Sequence, residues 1–122
     1  MNDRPCIVLH RDAGHPIVVV NGEELFPGAS QAIINHSPDG FEWGHEGSGP
    51  AQLALALLLH HSITPFPHPK DQPWDRTAFI KAHYQEFKRQ FIARVPEIGG
   101  RLDLAEVRGW VKNRLRDWRA RL

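Results

Sequence analysis

Four basic residues recur at steps of three or four along the last segment that reads as a helix, residues 104–121. They are Arg108, Lys112, Arg116 and Arg119. This spacing places side chains on neighbouring turns of one helix flank, where each like-charged pair costs about 0.2–0.5 kcal/mol. A helix tolerates such a stripe when solvent covers it, or when a phosphate backbone or an acidic protein surface binds there. The sequence is compatible with a solvated helix face and with a surface that binds an acidic partner.

A glycine-rich loop precedes the most apolar segment of the chain. Gly47, Ser48 and Gly49 come directly before Pro50, and proline suits the first position of a helix. The free N–H groups of a helix N-terminus favour an anion, although Glu42 lies nearby in the sequence and would repel one. The loop also lacks the Gly-Lys-Ser/Thr ending of a nucleotide-binding loop. We prefer a structural strand-to-helix turn, with an anion site as the alternative.

Eight histidines and one cysteine raise the question of a metal site or of catalysis. His60 and His61 are adjacent, and neighbours on a helix point about 100° apart, so they do not easily face one ion. A single cysteine cannot form a usual structural zinc site, and no serine stands in a Gly-x-Ser-x-Gly turn. We therefore expect no metal, no cofactor and no enzymatic activity.

The composition is that of one globular domain. The chain has 122 residues, of which 41% are hydrophobic and 24% charged. It contains no apolar run of about 20 residues, and its N-terminus lacks the layout of a signal peptide, so we expect no membrane association. The single Cys6 excludes an internal disulfide and fits a reducing compartment. These features predict one cytoplasmic domain over residues 1–122.

The net charge of +1 conceals an asymmetry between the two halves of the chain. Residues 1–62 carry a net charge of −5 and residues 63–122 a net charge of +6. The halves either neutralise one another by docking, which we prefer, or leave charged surfaces for a partner. The acidic candidates for such a surface are Glu23, Glu24, Asp39, Glu42 and Glu46.

The N-terminal part, residues 1–49, is predicted to be mainly β-structure. Residues 6–9 and 16–20 are short apolar and β-branched runs separated by turn residues, which indicates an antiparallel pair. Asn21 and Gly22 favour a tight hairpin turn into a third strand over residues 24–26. Further strands are predicted over residues 31–35 and 41–43.

The C-terminal part, residues 50–122, is predicted to be mainly helical. Residues 50–61 are apolar on nearly every side, which is typical of a buried central helix. Two amphipathic helices follow. The first runs from Asp75 or Thr77 to Val95 and the second covers residues 104–121, and Gly99 and Gly100 interrupt the helical structure between them. The predicted apolar faces are Ile80, Tyr84, Phe87, Phe91 and Val95 in the first, and Val107, Trp110, Val111, Trp118 and Leu122 in the second.

The resulting fold class is α+β: a small antiparallel sheet of three or four strands packed on a buried central helix, followed by two amphipathic helices. A proline-rich connection, residues 62–73, joins the central helix to the next. Phe66 in this connection and Trp74 just after it are candidate contact residues, because aromatic side chains often anchor interfaces.

Two segments resemble a family of small uncharacterised proteins common in bacteriophages, prophages and plasmids. They are residues 35–44, NHSPDGFEWG, and residues 47–58, GSGPAQLALALL, and further similar strings bring the resemblance to residues 16–111. The resemblance implies a mobile-element setting and a small α+β domain, and it implies no reaction.

These observations together favour a non-enzymatic binding protein that occupies a surface of a host or phage macromolecule, with a protein or nucleoprotein complex of the host as partner. By analogy with the mobile-element setting, an inhibitor of a host defence system such as an anti-CRISPR protein is its most concrete form. The alternative is a nucleic-acid-binding accessory protein that uses the basic C-terminal helix.

Overall fold

The computed structural model describes residues 5–65 and 74–121 and confirms the α+β class. One antiparallel sheet has the strand order β3-β2-β1-β4. Its first three strands follow one another along the chain: β1 (Cys6–Asp12), β2 (His15–Val20) and β3 (Glu23–Leu25).

The two turns between these strands have the tight hairpin conformation that the sequence predicted. Ala13 and Gly14 have φ values of +51° and +82°, and Asn21 and Gly22 have φ values of +48° and +86°. Positive φ at both central residues gives a turn whose twist matches that of the flanking strands. The hairpin pairing places Ile7 opposite Val20 and Leu9 opposite Val18, so that all four side chains enter the core.

The fourth strand, β4 (Gly100–Asp103), was not predicted, although Gly99 and Gly100 do lie between two helical segments as expected. It pairs antiparallel to β1, with Gly100 opposite Leu9. Gly99 has a φ of +124°, and a Cβ atom there would lie 2.4 Å from the carbonyl oxygen of Leu9. Glycine at this position therefore lets the chain approach β1 closely and join the sheet.

The strand predicted over residues 31–35 is also wrong, because residues 28–33 form a short helix, α1 (Gly28–Ile33). The backbone N–H of Gln31 donates to the carbonyl oxygen of Pro27 at 2.9 Å. The buried Ser30 hydroxyl donates to the same oxygen at 2.7 Å. These two bonds satisfy the start of the helix locally, so the segment needs no neighbouring strand.

Residues 41–43 have the predicted alternation of burial without forming a strand. Phe41 and Trp43 are buried and Glu42 is partly exposed, yet no ladder pairs these residues anywhere in the described ranges. Instead, the N–H of Gly44 donates to the carbonyl oxygen of Ile92 at 3.1 Å. The segment is thus held by its buried side chains and by this hydrogen bond to the helical turn that ends at Ile92. The strand prediction is wrong.

The central helix is α2 (Ser48–Leu59), two residues earlier at each end than predicted. Every residue from 50 to 58 is buried, as expected of a helix that is apolar on all sides. The inward faces of β1, β2 and the later helices share one core with it. The prediction of a buried central helix is confirmed.

Gln52 is the one polar side chain among residues 50–58, and it is 0% exposed. Its Oε1 accepts hydrogen bonds from the backbone N–H groups of His36 at 2.8 Å and Ser37 at 3.1 Å. Its Nε2 donates to Ser30 Oγ at 2.8 Å and to the carbonyl oxygen of Ile34 at 3.1 Å. The amide therefore has four partners and fastens α1 and the following loop to α2.

The next helix, α3 (Asp75–Phe87), continues into a π-helical turn, Lys88–Ile92. The N–H of Ala93 donates to the carbonyl oxygen of Lys88 at 2.9 Å, which closes the wider turn. The predicted apolar stripe is confirmed as buried: Ile80, Tyr84, Phe87, Phe91 and Val95.

The last helix is α4 (Leu104–Ala120), one residue shorter than predicted. Asp103 caps it, since its Oδ1 accepts a hydrogen bond at 2.9 Å from the backbone N–H two residues later. Trp110 and Trp118 of the predicted apolar face are half-buried, and Leu122 lies outside the described residues. Val107 and Val111 of the predicted face are fully buried, together with Leu104 and Leu115, which were not predicted.

None of the helices in residues 5–65 and 74–121 combines the length and the apolar composition needed to cross a bilayer. The most apolar of them, α2, has 12 residues.

We expect Gln52→Leu to lower the free energy of unfolding by about 1–3 kcal/mol for each buried group that loses its partner. The groups concerned are the backbone N–H groups of His36 and Ser37 and the carbonyl oxygen of Ile34, whereas the Ser30 hydroxyl keeps its bond to Pro27. Urea unfolding followed by tryptophan fluorescence measures the loss. The matched substitution Gln90→Leu, at an exposed position, should change the value by no more than about 0.5 kcal/mol. Equal effects of the two substitutions would contradict the role of Gln52.

Candidate binding surface

The four basic residues predicted on the last helix lie on one flank of α4, which we call the basic flank: Arg108, Lys112, Arg116 and Arg119. The first three are exposed and Arg119 is half-buried. Because a helix rises about 1.5 Å per residue, members four positions apart are separated by about 6 Å along the axis. The predicted stripe is therefore present as a row of cations.

The basic flank faces residues 61–65 across two adjoining grooves. The first has a volume of about 240 Å³ and the second about 450 Å³, and Pro65 and Lys112 line both. Ile63 and Leu115 add apolar surface to the walls, so that each groove combines positive charge with apolar contact area.

Two arginines of the basic flank also tie α4 to the chain that follows α2. Arg108 Nε donates to the carbonyl oxygen of Ser62. Arg119 Nη2 donates to the carbonyl oxygen of Pro65 at 3.4 Å. Both of these bonds reach backbone carbonyl oxygens.

Ion pairs elsewhere in the molecule neutralise many of its other charges. Within the described ranges, Arg108, Lys112 and Arg116 form no pair with a carboxylate. The arginine–carboxylate pairs that do form are Arg11–Glu42 at 2.8 Å, Arg89–Glu46 at 3.3 Å and Arg114–Glu86 at 2.5 Å. Arg114 makes the contrast clear, since it lies on the same helix and is both paired and stacked 3.6 Å from the Trp110 ring.

The loop predicted as a possible anion site, Gly47, Ser48 and Gly49, packs against Glu42. A Cβ atom on Gly49 would lie 2.6 Å from the Glu42 Cβ and 3.1 Å from the Glu42 nitrogen. Close packing thus accounts for the glycine at this position. Because Glu42 packs against the loop and Glu46 directly precedes it, the geometry favours the structural turn, and the alternative of an anion site stays a prediction.

Glu42 itself holds two parts of the fold together. Arg11 Nη2 and Nη1 lie 2.8 Å and 3.2 Å from its two carboxylate oxygens, and the guanidinium stacks 4.3 Å from the Trp43 ring. Arg11 Nε and Trp43 Nε1 both donate to the carbonyl oxygen of Glu97, at 2.9 Å and 3.1 Å. The hydrogen bond from Arg11 lowers the pKa of Glu42 below its ordinary value. The motif around Trp43 is therefore structural.

The candidate aromatic contacts are only partly described. Trp74 is 65% exposed at the start of α3, whereas Phe66 lies outside the described residues. Two further exposed apolar side chains, Phe26 and Ile98, were not singled out in the sequence. Both lie in connections with no periodic pattern, which is why sequence reasoning missed them.

His60 and His61 do not lie within a helix, because α2 ends at Leu59 and His60 has extended backbone angles. Their rings stack with centroids 4.5 Å apart, and the Nε2 atoms lie 3.9 Å and 3.3 Å from Glu23 Oε2. The angle of about 100° between neighbouring side chains of a helix therefore does not separate His60 from His61.

His83 packs into an aromatic cluster between α3 and α4. Its ring centroid lies 4.6 Å from that of Phe79, 6.2 Å from Trp118 and 6.5 Å from Trp110. Loss of hydration on burial lowers the pKa of His83, and the nearby carboxylate of Glu86 opposes part of this effect. The folded state therefore disfavours the protonated imidazole relative to the unfolded chain.

Residues 9–113 match the model of DUF6166, a family of unknown function. The chain belongs to this family. The match covers the whole range over which the sequence resembled a known family, residues 16–111. In the basic flank it includes Arg108 and Lys112 but not Arg116 or Arg119. Comparison of this DUF6166 chain with curated proteins and with solved structures gave no match.

We expect Gly49→Ala to destabilise this DUF6166 protein by about 1–3 kcal/mol, because the added methyl group overlaps Glu42. Gly109→Ala is the matched control, since a Cβ at Gly109 in α4 meets nothing within 4 Å. It should instead stabilise the protein by about 0.5–1 kcal/mol. Thermal unfolding of both variants measures the two shifts, and a harmless Gly49→Ala would show that Glu42 does not constrain the loop.

We also expect the stability to fall as the pH drops below about 6.5, the pKa of an unperturbed histidine. Below that pH the unfolded chain binds a proton on His83 that the folded state excludes, so the free energy of unfolding rises with pH in this window. His83→Phe should reduce this slope, while His60, whose pKa burial also lowers, retains part of it. Replacing the exposed His15 with Gln is the control. An unchanged slope in His83→Phe would refute the assignment.

Proposed function

We propose that this DUF6166 protein is a non-enzymatic binding protein that contacts an acidic surface of a macromolecule through its basic flank. The observation that carries the proposal is the row of Arg108, Lys112 and Arg116, which are exposed and have no carboxylate partner among residues 5–65 and 74–121. An acidic partner would relieve the repulsion between these cations, which an isolated helix bears at a cost.

The shape of the surface supports a macromolecular partner. The two grooves beside the basic flank adjoin one another and combine cations with apolar walls. Charge complementarity steers a partner to such a surface and apolar contact then adds affinity. Neither a cofactor nor a chemical step is part of this proposal.

The basic flank is a better candidate than the acidic half of the chain. Glu42 and Glu46 are paired with arginines, and Glu23 lies against two histidines, so these carboxylates are already engaged within the molecule. Mimicry of nucleic-acid charge by the acidic half has correspondingly less free charge to use.

In the mobile-element setting that the sequence resemblance implies, the partner is a protein or nucleoprotein complex of the host. The protein would then act in the host cytoplasm by covering an acidic site, as an inhibitor of a defence system such as an anti-CRISPR protein does. The support for this finer form is the resemblance together with the exposed row of Arg108, Lys112 and Arg116.

Charge reversal on the basic flank tests the proposal. Lys112→Glu combined with Arg116→Glu should abolish capture of the partner from a host lysate at about physiological salt. The control is Lys81→Glu combined with Arg94→Glu, which makes the same change in net charge at two exposed positions off the flank. It should capture the same partner as the unmodified protein. Equal capture by both double variants would overturn the role of the basic flank.

The same row of cations supports a second candidate function, binding of a nucleic-acid backbone. Three lysine or arginine contacts to duplex phosphates would give a slope of about −2.7 in a plot of log affinity against log salt. Fluorescence anisotropy with a labelled DNA duplex measures this slope. Tight retention at about 50 mM salt that the flank double variant loses would favour nucleic acid, and no retention would leave the protein partner.

A further inference from the structure

Three potential metal ligands meet where the C-terminus of α2 comes close to the start of β3. Glu23 Oε2 lies 3.3 Å from His61 Nε2 and 3.9 Å from His60 Nε2. One ligand atom from each of the three residues lies within 4.8 Å of the others. The parallel stacking of the two imidazoles, with 24° between their planes, is what brings both Nε2 atoms toward the same carboxylate.

We propose that Glu23, His60 and His61 bind a zinc ion. Zinc bonds to histidine nitrogen and carboxylate oxygen at about 2.0–2.2 Å, so tetrahedral ligand atoms lie about 3.3 Å from one another. The distances at this site match that separation for one pair and exceed it modestly for the others. The Nε2 lone pairs of the two stacked rings run nearly parallel, so zinc binding requires the His61 ring to rotate out of the stack and Glu23 to follow it. Both side chains have room to move, because 74% and 62% of their surfaces are accessible.

Charges of both signs surround the site: Arg108 lies close enough to oppose a positive charge at His60, and two features favour a cation. His60 follows the last residue of α2, and the C-terminus of a helix carries partial negative charge. The same cleft, of about 310 Å³, contains the carboxylates of Glu23 and Glu24 against one guanidinium, that of Arg76. Arg76 in turn donates to the carbonyl oxygen of Leu59, so part of its hydrogen-bonding capacity is directed away from the ligands.

Zinc binding rearranges one hydrogen bond. In the metal-free protein the N–H of Ser62 donates to His60 Nδ1 at 3.0 Å, so the ring proton is on Nε2. Coordination through Nε2 requires that proton to move to Nδ1, and the Ser62 N–H then gives up its acceptor. Zinc binding therefore removes one hydrogen bond between neutral groups and forms one metal–nitrogen bond.

The site has the form of an open centre. Three protein ligands leave the fourth tetrahedral position to water or to a small ligand from the cleft, as in zinc sites with two histidines and one glutamate. The cleft also contains the side chains of Leu25 and Phe26, which limits how much water surrounds the ion. The site lies beside the basic flank, and its test requires no macromolecular partner.

Calorimetric titration of the chelator-treated full chain with zinc chloride tests the proposal. The unmodified protein should bind one equivalent of zinc, and cobalt(II) in its place should give the absorption spectrum of a tetrahedral nitrogen–oxygen site. Glu23→Gln and His61→Ala should each weaken zinc binding at least about tenfold, since even the loss of a residue beyond the ligands costs that much. Both positions are exposed, so circular dichroism should show unchanged folding.

Two control variants make the outcome decisive. Asp12→Asn removes an exposed carboxylate and His15→Ala removes an exposed histidine, both at the other end of the β1–β2 hairpin from Glu23. Both should bind zinc within about threefold of the unmodified protein, the range within which measured interactions ordinarily vary. The proposal is overturned if the unmodified protein shows no saturable binding, or if Glu23→Gln and His61→Ala bind as tightly as the controls.

Discussion

The surface of α2 must be removed from water on every side, because residues 50–58 carry a single polar side chain, Gln52. Each buried leucine contributes about 1.5–3 kcal/mol of hydrophobic free energy, which outweighs the local preferences of the short segments around the helix. The sheet, α1, α3 and α4 are arranged so that their apolar faces join one core with α2. Their polar faces point outward, and one of these, the basic flank, carries a row of cations.

The elements defined by local chemistry could be predicted from the sequence. Asn21 and Gly22 take the left-handed conformations of their turn, and the apolar stripe of α3 follows helical spacing, so both depend on nearby residues. α1 and β4 depend on distant partners. Ser30 reaches Gln52 across 22 positions, and Leu9 pairs with Gly100, so neither contact leaves a periodic signal in its own segment.

The candidate sites differ in the same respect, since one depends on a single helix and the others on contacts between distant segments. The basic flank could be predicted, because it requires only that residues 104–121 form a helix. The grooves beside it could not, because they depend on the path of residues 61–65. The meeting of Glu23 with His60 and His61 was missed for a related reason. The sequence analysis extended α2 through both histidines, whereas the helix ends at Leu59 and the next residue turns back toward β3.

Hydrogen exchange of the backbone amides tests the central claim most directly, since it compares α2 with the rest of the chain in one experiment. If α2 is enclosed on all sides, the amides of residues 52–58 should exchange only through global unfolding and be the slowest in the protein. The amides near the C-terminus of α4 should exchange faster through local fraying. Exchange of the α2 amides at rates equal to those at the end of α4 would contradict the account.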